Sequence, residues 1–353
     1  MSIDKNELES YATRILSENN VTDKEVRIVF SDNTLLFKET PSECCIEIGV
    51  NAITLMVLFS CFSINGLLFQ RTLYCYYWAS KSIVERKIGT CAFFLSKLRE
   101  ELCKNIDKMQ WYGQMIRIDL LLYFVIGHET FHILFKQNEK AKQNAIIDIS
   151  AFLEDMYANR LRTKSKTAER LLDNSLNSIM EDDEFKEELA CDKYSLDFLF
   201  KSILNDNRID LKSFESIYQQ LLDMVMMFQY DSISSSDFRR NLKIDNLRLF
   251  ILGQHYGVFR LWITAITISE LDQFGIDINS CLDKTRQRYS SIHSKKMRIK
   301  LKEYAMSSNN EMGQLTDNLI KKYRQQMRLM GDLINNMLIG EAFVGIKQLL
   351  LEE

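Results

Sequence analysis

One proline, Pro41, and 12 glycines in 353 residues leave this chain few places to break a helix. Proline removes a backbone donor, and both residues weaken a helix interior. The expectation is a mainly helical protein built from long, uninterrupted helices. Hydrophobic residues at 46% and charged residues at 26% match ordinary globular composition, which excludes wholesale disorder. No repeat of fixed period marks a solenoid.

The helical period fails in one region. Leu8, Tyr11 and Ile15 fall on one face of an N-terminal helix covering Ile3 to about Ser17, after which VRIVF (Val26–Phe30), TLLFKE (Thr34–Glu39) and CIEIGV (Cys45–Val50) are short β-branched or alternating runs. SDN and TPSE, which favour turns, separate them. The fold class expected is therefore mainly α, formally α+β. A small antiparallel N-terminal sheet of about three strands precedes a large helical body. Within that body, helices are predicted over Asp119–Gln137, Phe185–Leu204 and Met312–Met337. Residues 1–205 are expected to form the core and residues 206–353 a C-terminal helical region, with a soft boundary near Asn205 and no clear linker, so the two can also belong to one domain.

A net charge of −3 offers no basic field for phosphates, so nucleic acid is not an expected partner. The densest basic stretch, His293–Tyr304, reads as a solvated helix face. Eight scattered cysteines without a C-x-x-C spacing suit reduced thiols, and no basic segment followed by an apolar core opens the sequence; a cytoplasmic location is the expectation. Ile48–Gln70 carries no charge and is long enough for a bilayer, yet Asn51, Thr54, Ser60, Ser63, Asn65 and Gly66 interrupt it. A buried helix is the preferred reading there, and membrane association is not expected.

Within the predicted helix Asp119–Gln137 stands YFVIGHETFHILFK, in which His128-Glu129-Thr130-Phe131-His132 matches H-E-x-x-H. Residues four apart share a helix face, so both imidazoles can reach one Zn²⁺, with Glu129 beside it as a general base for water activated by the metal. The chain has only four histidines, which makes coincidence a poor explanation. The alternative is a pair of hydrogen-bonded core histidines in an apolar helix. Phe135 and Asn138 stand where the longer metzincin motif has its glycine and last histidine, so a third ligand must come from elsewhere. The helix Phe185–Leu204 contains EELACDKYSLDF. Glu188 and Asp192 lie one turn apart there, so that one carboxylate can bind zinc while the other orients a ligand histidine through its distal nitrogen. Glu187 is the alternative ligand to Glu188, and Cys191 either fills a packed position or approaches the metal.

H-E-x-x-H followed by E-x-x-x-D resembles the gluzincin-type peptidases, including HtpX and the CAAX-processing proteases. The order VRIVF to CIEIGV, ITLMVLFSCF, GHETFHIL and EELACDKYSLDFLF is most similar to the Lit-type phage-exclusion peptidases. That resemblance covers roughly residues 26–200. It implies zinc bound by His128, His132 and Glu188, Glu129 as general base and Asp192 as the partner of a ligand histidine. It also implies a protein substrate, a host translation elongation factor or a phage-triggered complex, cleaved in abortive infection. The sequence departs from the family by placing Cys191 before Asp192 and by lacking its His-Pro; His255, Arg288 and Tyr289 are candidates for stabilising an oxyanion. Two other readings stay open: a membrane-associated peptidase of the HtpX or CAAX-processing kind, and a non-enzymatic helical regulatory protein with structural zinc or none.

Overall fold

The computed structural model describes residues 4–64, 70–109, 118–158, 181–204, 219–221, 280, 284 and 317–339. Helix α1 (Lys5–Glu18) precedes strands β1 (Arg27–Ser31), β2 (Phe37–Thr40) and β3 (Cys45–Gly49). Then follow α2 (Ala52–Ile64), α3 (Gln70–Val84), α4 (Ile88–Met109), α5 (Ile118–Gln137), α6 (Glu139–Ala158), α7 (Asp183–Leu204) and α8 (Asp317–Ile339). A mainly helical protein with three short strands near its N-terminus is the class the sequence leads one to expect.

The sheet itself differs from expectation in one pairing. Strand order is β1-β3-β2. β2 and β3 are antiparallel, with Phe37 opposite Ile48 and Thr40 opposite Cys45. β1 instead runs parallel to β3, with Arg27 opposite Cys45 and Ser31 opposite Gly49, so the sheet is mixed rather than wholly antiparallel. Burial explains the order: β3 places Cys45, Ile46, Ile48 and Gly49 inside, whereas β1 and β2 are more exposed. The most apolar strand takes the centre by inserting between two strands of opposite direction, and it must then be parallel to one of them. The β1–β2 connection arches over Gly49, whose N–H donates to Leu36 O at 2.7 Å. A Cβ at position 49 would lie 2.6 Å from Leu35 O, which only glycine avoids.

The edges of the sheet are treated unequally. α1 covers the outer side of β1, where Ile28 N donates to Glu9 Oε1 at 2.8 Å and, just before the strand, Val26 N to Thr13 Oγ1 at 3.0 Å. Among the described residues no strand pairs with the outer edge of β2.

α2 is apolar on all sides, and Ala52 and Leu55–Phe59 are buried. Of the uncharged stretch Ile48–Gln70, α2 takes Ala52–Ile64, and residues 65–69 lie outside the described residues. α3 packs beside α2, and α4 packs on α3 through an aromatic cluster in which Trp78 and Phe94 stack at 6.1 Å. α8 adds Met327, Met330 and Ile334 to the same core. Among the described residues α5 alone is long and apolar enough to cross a membrane, and 83% of that stretch is buried by the protein around it.

α5 is held closest by α7. Ser195 Oγ of α7 donates to Phe124 O of α5 at 2.6 Å, both groups being buried. Gly127 sits under this bond, and a Cβ there would fall well inside van der Waals contact with Ser195 Oγ and 3.2 Å from Ser195 Cβ. Gly127 immediately precedes His128, and Ser195 lies three residues beyond Asp192. The small residue therefore brings the two site-bearing stretches together. Gly127→Ala should cost about 1–3 kcal/mol through overpacking. Removing the hydroxyl with Ser195→Ala should relieve part of that cost, so the double variant will be less destabilised than the sum of the singles. Denaturant unfolding checks this, and simple additivity would contradict the close-contact account.

Candidate metal centre

The C-terminal half of α5 buries three ionisable side chains in an apolar surround: His128, Glu129 and His132 are 4%, 8% and 9% exposed. Ionisable groups this deep need compensating partners. One helical turn separates the two histidines, and their rings meet with centroids 4.9 Å apart. Their Nε2 atoms lie 3.2 Å from each other. Glu188 of α7 completes a triangle: Oε2 is 3.3 Å from His128 Nε2 and Oε1 is 3.3 Å from His132 Nε2.

The distal nitrogens decide what that triangle is for. His128 Nδ1 lies 2.9 Å from Asp192 Oδ1, whose carboxylate is wholly buried, and His132 Nδ1 lies 3.1 Å from Glu187 Oε1. An ionised carboxylate only accepts, so each Nδ1 carries the proton. In the neutral imidazoles both Nε2 lone pairs then face one another and Glu188. Lone pairs and a carboxylate converge in this way on a cation. A tetrahedral zinc with bonds of about 2.0–2.1 Å has ligand atoms about 3.3–3.4 Å apart, close to the edges seen here. His128, His132 and Glu188 thus form a group that can hold a metal ion.

Charge compensation runs outward on both sides. Lys142 of α6 donates to Glu187 Oε2 at 2.6 Å. Burial alone would raise the Glu187 pKa, but its hydrogen bonds with His132 and Lys142 outweigh that and bring it down to about 2. Without a metal, burial opposes imidazolium, yet Asp192 and Glu188 raise the pKa of His128. Cys191, Glu187 and Glu188 likewise raise that of His132. Protons would therefore compete with a bound metal for the same two nitrogens. Burial pushes Glu129 up to about 7, against the pull of the neighbouring imidazoles. The like charges of Glu39 in β2 and Glu188 push in the same direction as burial.

Local sequence explains how these groups arrive. Asn138 alone separates α5 from α6, and its Oδ1 accepts from Ala141 N at 3.1 Å, an N-cap that turns the chain back. Lys142 follows in the first turn of α6 and faces α7. Tyr194 OH donates to Asp148 Oδ2 at 2.7 Å and ties α7 to α6 further along. Gln137 Nε2 donates to Pro41 O at 3.2 Å, fixing the end of α5 to the turn between β2 and β3.

The structure brings His128, Glu129, His132, Glu188 and Asp192 together, with Glu188 on the two Nε2 atoms and Asp192 on His128 Nδ1. Glu187, weighed as a ligand from sequence, lies on the far nitrogen of His132 instead. Cys191 packs wholly buried beside His132, and burial pushes its thiol up to about 12. Lys142 escaped the sequence reading because a lysine in a helix's first turn carries no local sign of a partner 45 residues away. His255, Arg288 and Tyr289, like the basic stretch His293–Tyr304, lie outside the described residues.

No family model matches this chain, and no curated protein or solved structure is similar to it. The site therefore rests on its own geometry.

That geometry makes Glu187 and Lys142 orienting groups rather than ligands. Glu187→Gln and Lys142→Met should each lower metal affinity by about 10–100-fold while leaving the helix content unchanged. Competition against a chromophoric chelator measures this, and native affinity in both variants would remove them from the site.

Proposed function

We propose that this protein is a zinc-dependent endopeptidase. The observation that carries the reading is the pair of imidazole Nε2 atoms 3.2 Å apart, each ring anchored through Nδ1 to a carboxylate, with Glu188 facing both and Glu129 alongside. Two imidazoles and one carboxylate form a donor set that suits zinc and leaves a position open for catalysis. Held by His128, His132 and Glu188, zinc would supply Lewis-acid polarisation of a carbonyl and make water acidic at neutral pH.

The remaining chemistry belongs to the chain. Glu129, with a pKa near 7 set mainly by burial, can take a proton from water and return it to a leaving amine. Asp192 and the Glu187–Lys142 pair hold the rings in one orientation and one tautomer. Glu188 is the exposed member of the group, its side chain 42% accessible, so the site opens on its side. β2 packs across α5, and among the described residues no strand pairs with its outer edge, on which an extended peptide can add as a further strand. Such a site acts on a segment of polypeptide rather than on a small enclosed ligand. A role in abortive infection, with a translation factor as substrate, follows from the family resemblance and belongs to this proposal as its biological arm.

Glu129→Gln tests the proposal directly, since it preserves shape and removes the base. It should keep native metal content and melting behaviour while lowering turnover at least about 10²-fold. New protein N-termini compared between cells expressing native and Glu129→Gln protein, with and without phage infection, would reveal the substrate. Identical N-termini in all conditions would contradict peptidase action.

A further inference from the structure

Strand β2 carries a carboxylate on the face that it turns to the metal centre. In an antiparallel pair, residues alternate between exchanging backbone bonds with the partner strand and directing them away from it. Gly49 N donates to Leu36 O at 2.7 Å, and the same register sets Lys38 opposite Glu47 and Thr40 opposite Cys45. The N–H and C=O groups of the intervening Phe37 and Glu39 therefore point to the outer edge, where no described strand receives them. Side chains alternate too. Glu39 lies opposite Ile46 and Phe37 opposite Ile48, and both isoleucines are wholly buried, so Glu39 stands on the face of β2 that packs on α5. Lys38 and Glu47 share the other face.

No cation answers this carboxylate. Glu39 is half-buried and, among the described residues, has neither a hydrogen bond nor a salt bridge. Its charge reaches Glu129, which is 8% exposed and likewise has neither. Lys142 is bonded to Glu187 on the far side of His132. The two charges of a bound zinc would be matched by Glu188 and Glu129, and Asp192 is wholly buried against His128 Nδ1. Glu39 is then the uncompensated charge that a substrate can reach. A partly buried carboxylate without a partner costs stability, at a place where an apolar side chain would extend the core beside Ile46.

We propose that Glu39 sets substrate specificity: it selects a polypeptide segment with lysine or arginine at the position paired with Glu39 on the β2 edge, an inference that rests on the peptidase reading above. A strand added there exchanges backbone bonds with Glu39, and directly opposite side chains stand on the same face with Cβ atoms about 4.5–5.5 Å apart. A basic side chain at that position meets the Glu39 carboxylate, while its two neighbours along the segment point to the other face. The pairing also fixes the register in which the segment passes the metal centre, because a slip of one residue turns the basic side chain away.

The test uses pools of acetyl- and amide-capped decapeptides with random neutral residues and lysine, methionine or glutamate at one fixed position. Cuts by the full chain are located by mass spectrometry, and binding of the labelled pools to the Glu129→Gln protein, which should not consume them, is read by fluorescence anisotropy. Lysine pools should be cut at a fixed distance from the lysine, and should be both cut and bound about tenfold better than methionine pools. Glu39→Gln should bring these ratios to within about twofold of one, and Glu39→Lys should turn the preference to glutamate. Each ratio is taken within one protein, so a change in overall turnover cancels, and unfolding midpoints show that the variants are folded. If Glu39 only guards the edge against strand pairing, the ratios will be the same in native and variant proteins, which would overturn the proposal while leaving the peptidase reading in place. Selective binding without any cut that Glu129→Gln abolishes would contradict the peptidase reading and uphold the role of Glu39 in recognition.

Discussion

The site depends on how near α7 can come to α5. Gly127 gives α5 a bare surface one residue before His128, and the Ser195 hydroxyl fills that space to bond Phe124 O at 2.6 Å. The carboxylate–imidazole contacts between α5 and α7 follow from this approach. With α7 further away, Glu188 would lose both Nε2 atoms and Asp192 would lose Nδ1 of His128. Cys191 and Ala190, both fully buried, keep the rest of the interface thin enough for carboxylates to reach across it.

Electrostatics then makes the arrangement one-directional. Each histidine is oriented from behind by a carboxylate, so both have their proton-free nitrogens turned to the same point. The two carboxylates are compensated differently: Asp192 is wholly buried and faces His128, while Glu187 is also held by Lys142 at 2.6 Å. An apolar surround strengthens these interactions and raises the penalty for breaking any one of them. Glu129 stands in the same low-dielectric setting without a direct carboxylate–imidazole contact of this kind, and burial moves it toward neutral pH.

Much of this was legible in the residues themselves. H-E-x-x-H defined one helix face, and the four-residue step from Glu188 to Asp192 defined another, because helical phase follows from spacing alone. Helix bounds were close for the same reason: α5 runs Ile118–Gln137 against a predicted Asp119–Gln137, and α7 runs Asp183–Leu204 against Phe185–Leu204. The parallel β1–β3 pairing was not legible, since short alternating strands joined by turns suggest hairpins until one knows which strand the core buries most. Nor was the Lys142–Glu187 contact, which depends on the path of α6 after Asn138. Tertiary geometry sorts Glu187 from Glu188: adjacent helical residues point about 100° apart, so one faces the ligand nitrogens while the other reaches behind His132.

As a zinc site, the centre would hold the metal through two imidazole nitrogens and a carboxylate, with the buried thiol beside them taking no part. Metal analysis combined with X-ray absorption at the zinc edge on purified protein tests it most directly. The expected result is about one zinc per chain, surrounded by two imidazole nitrogens and oxygen donors at about 2.0–2.1 Å with no sulfur. A well-folded protein that takes up no zinc, or a zinc–sulfur distance of about 2.3 Å placing Cys191 on the metal, would contradict it.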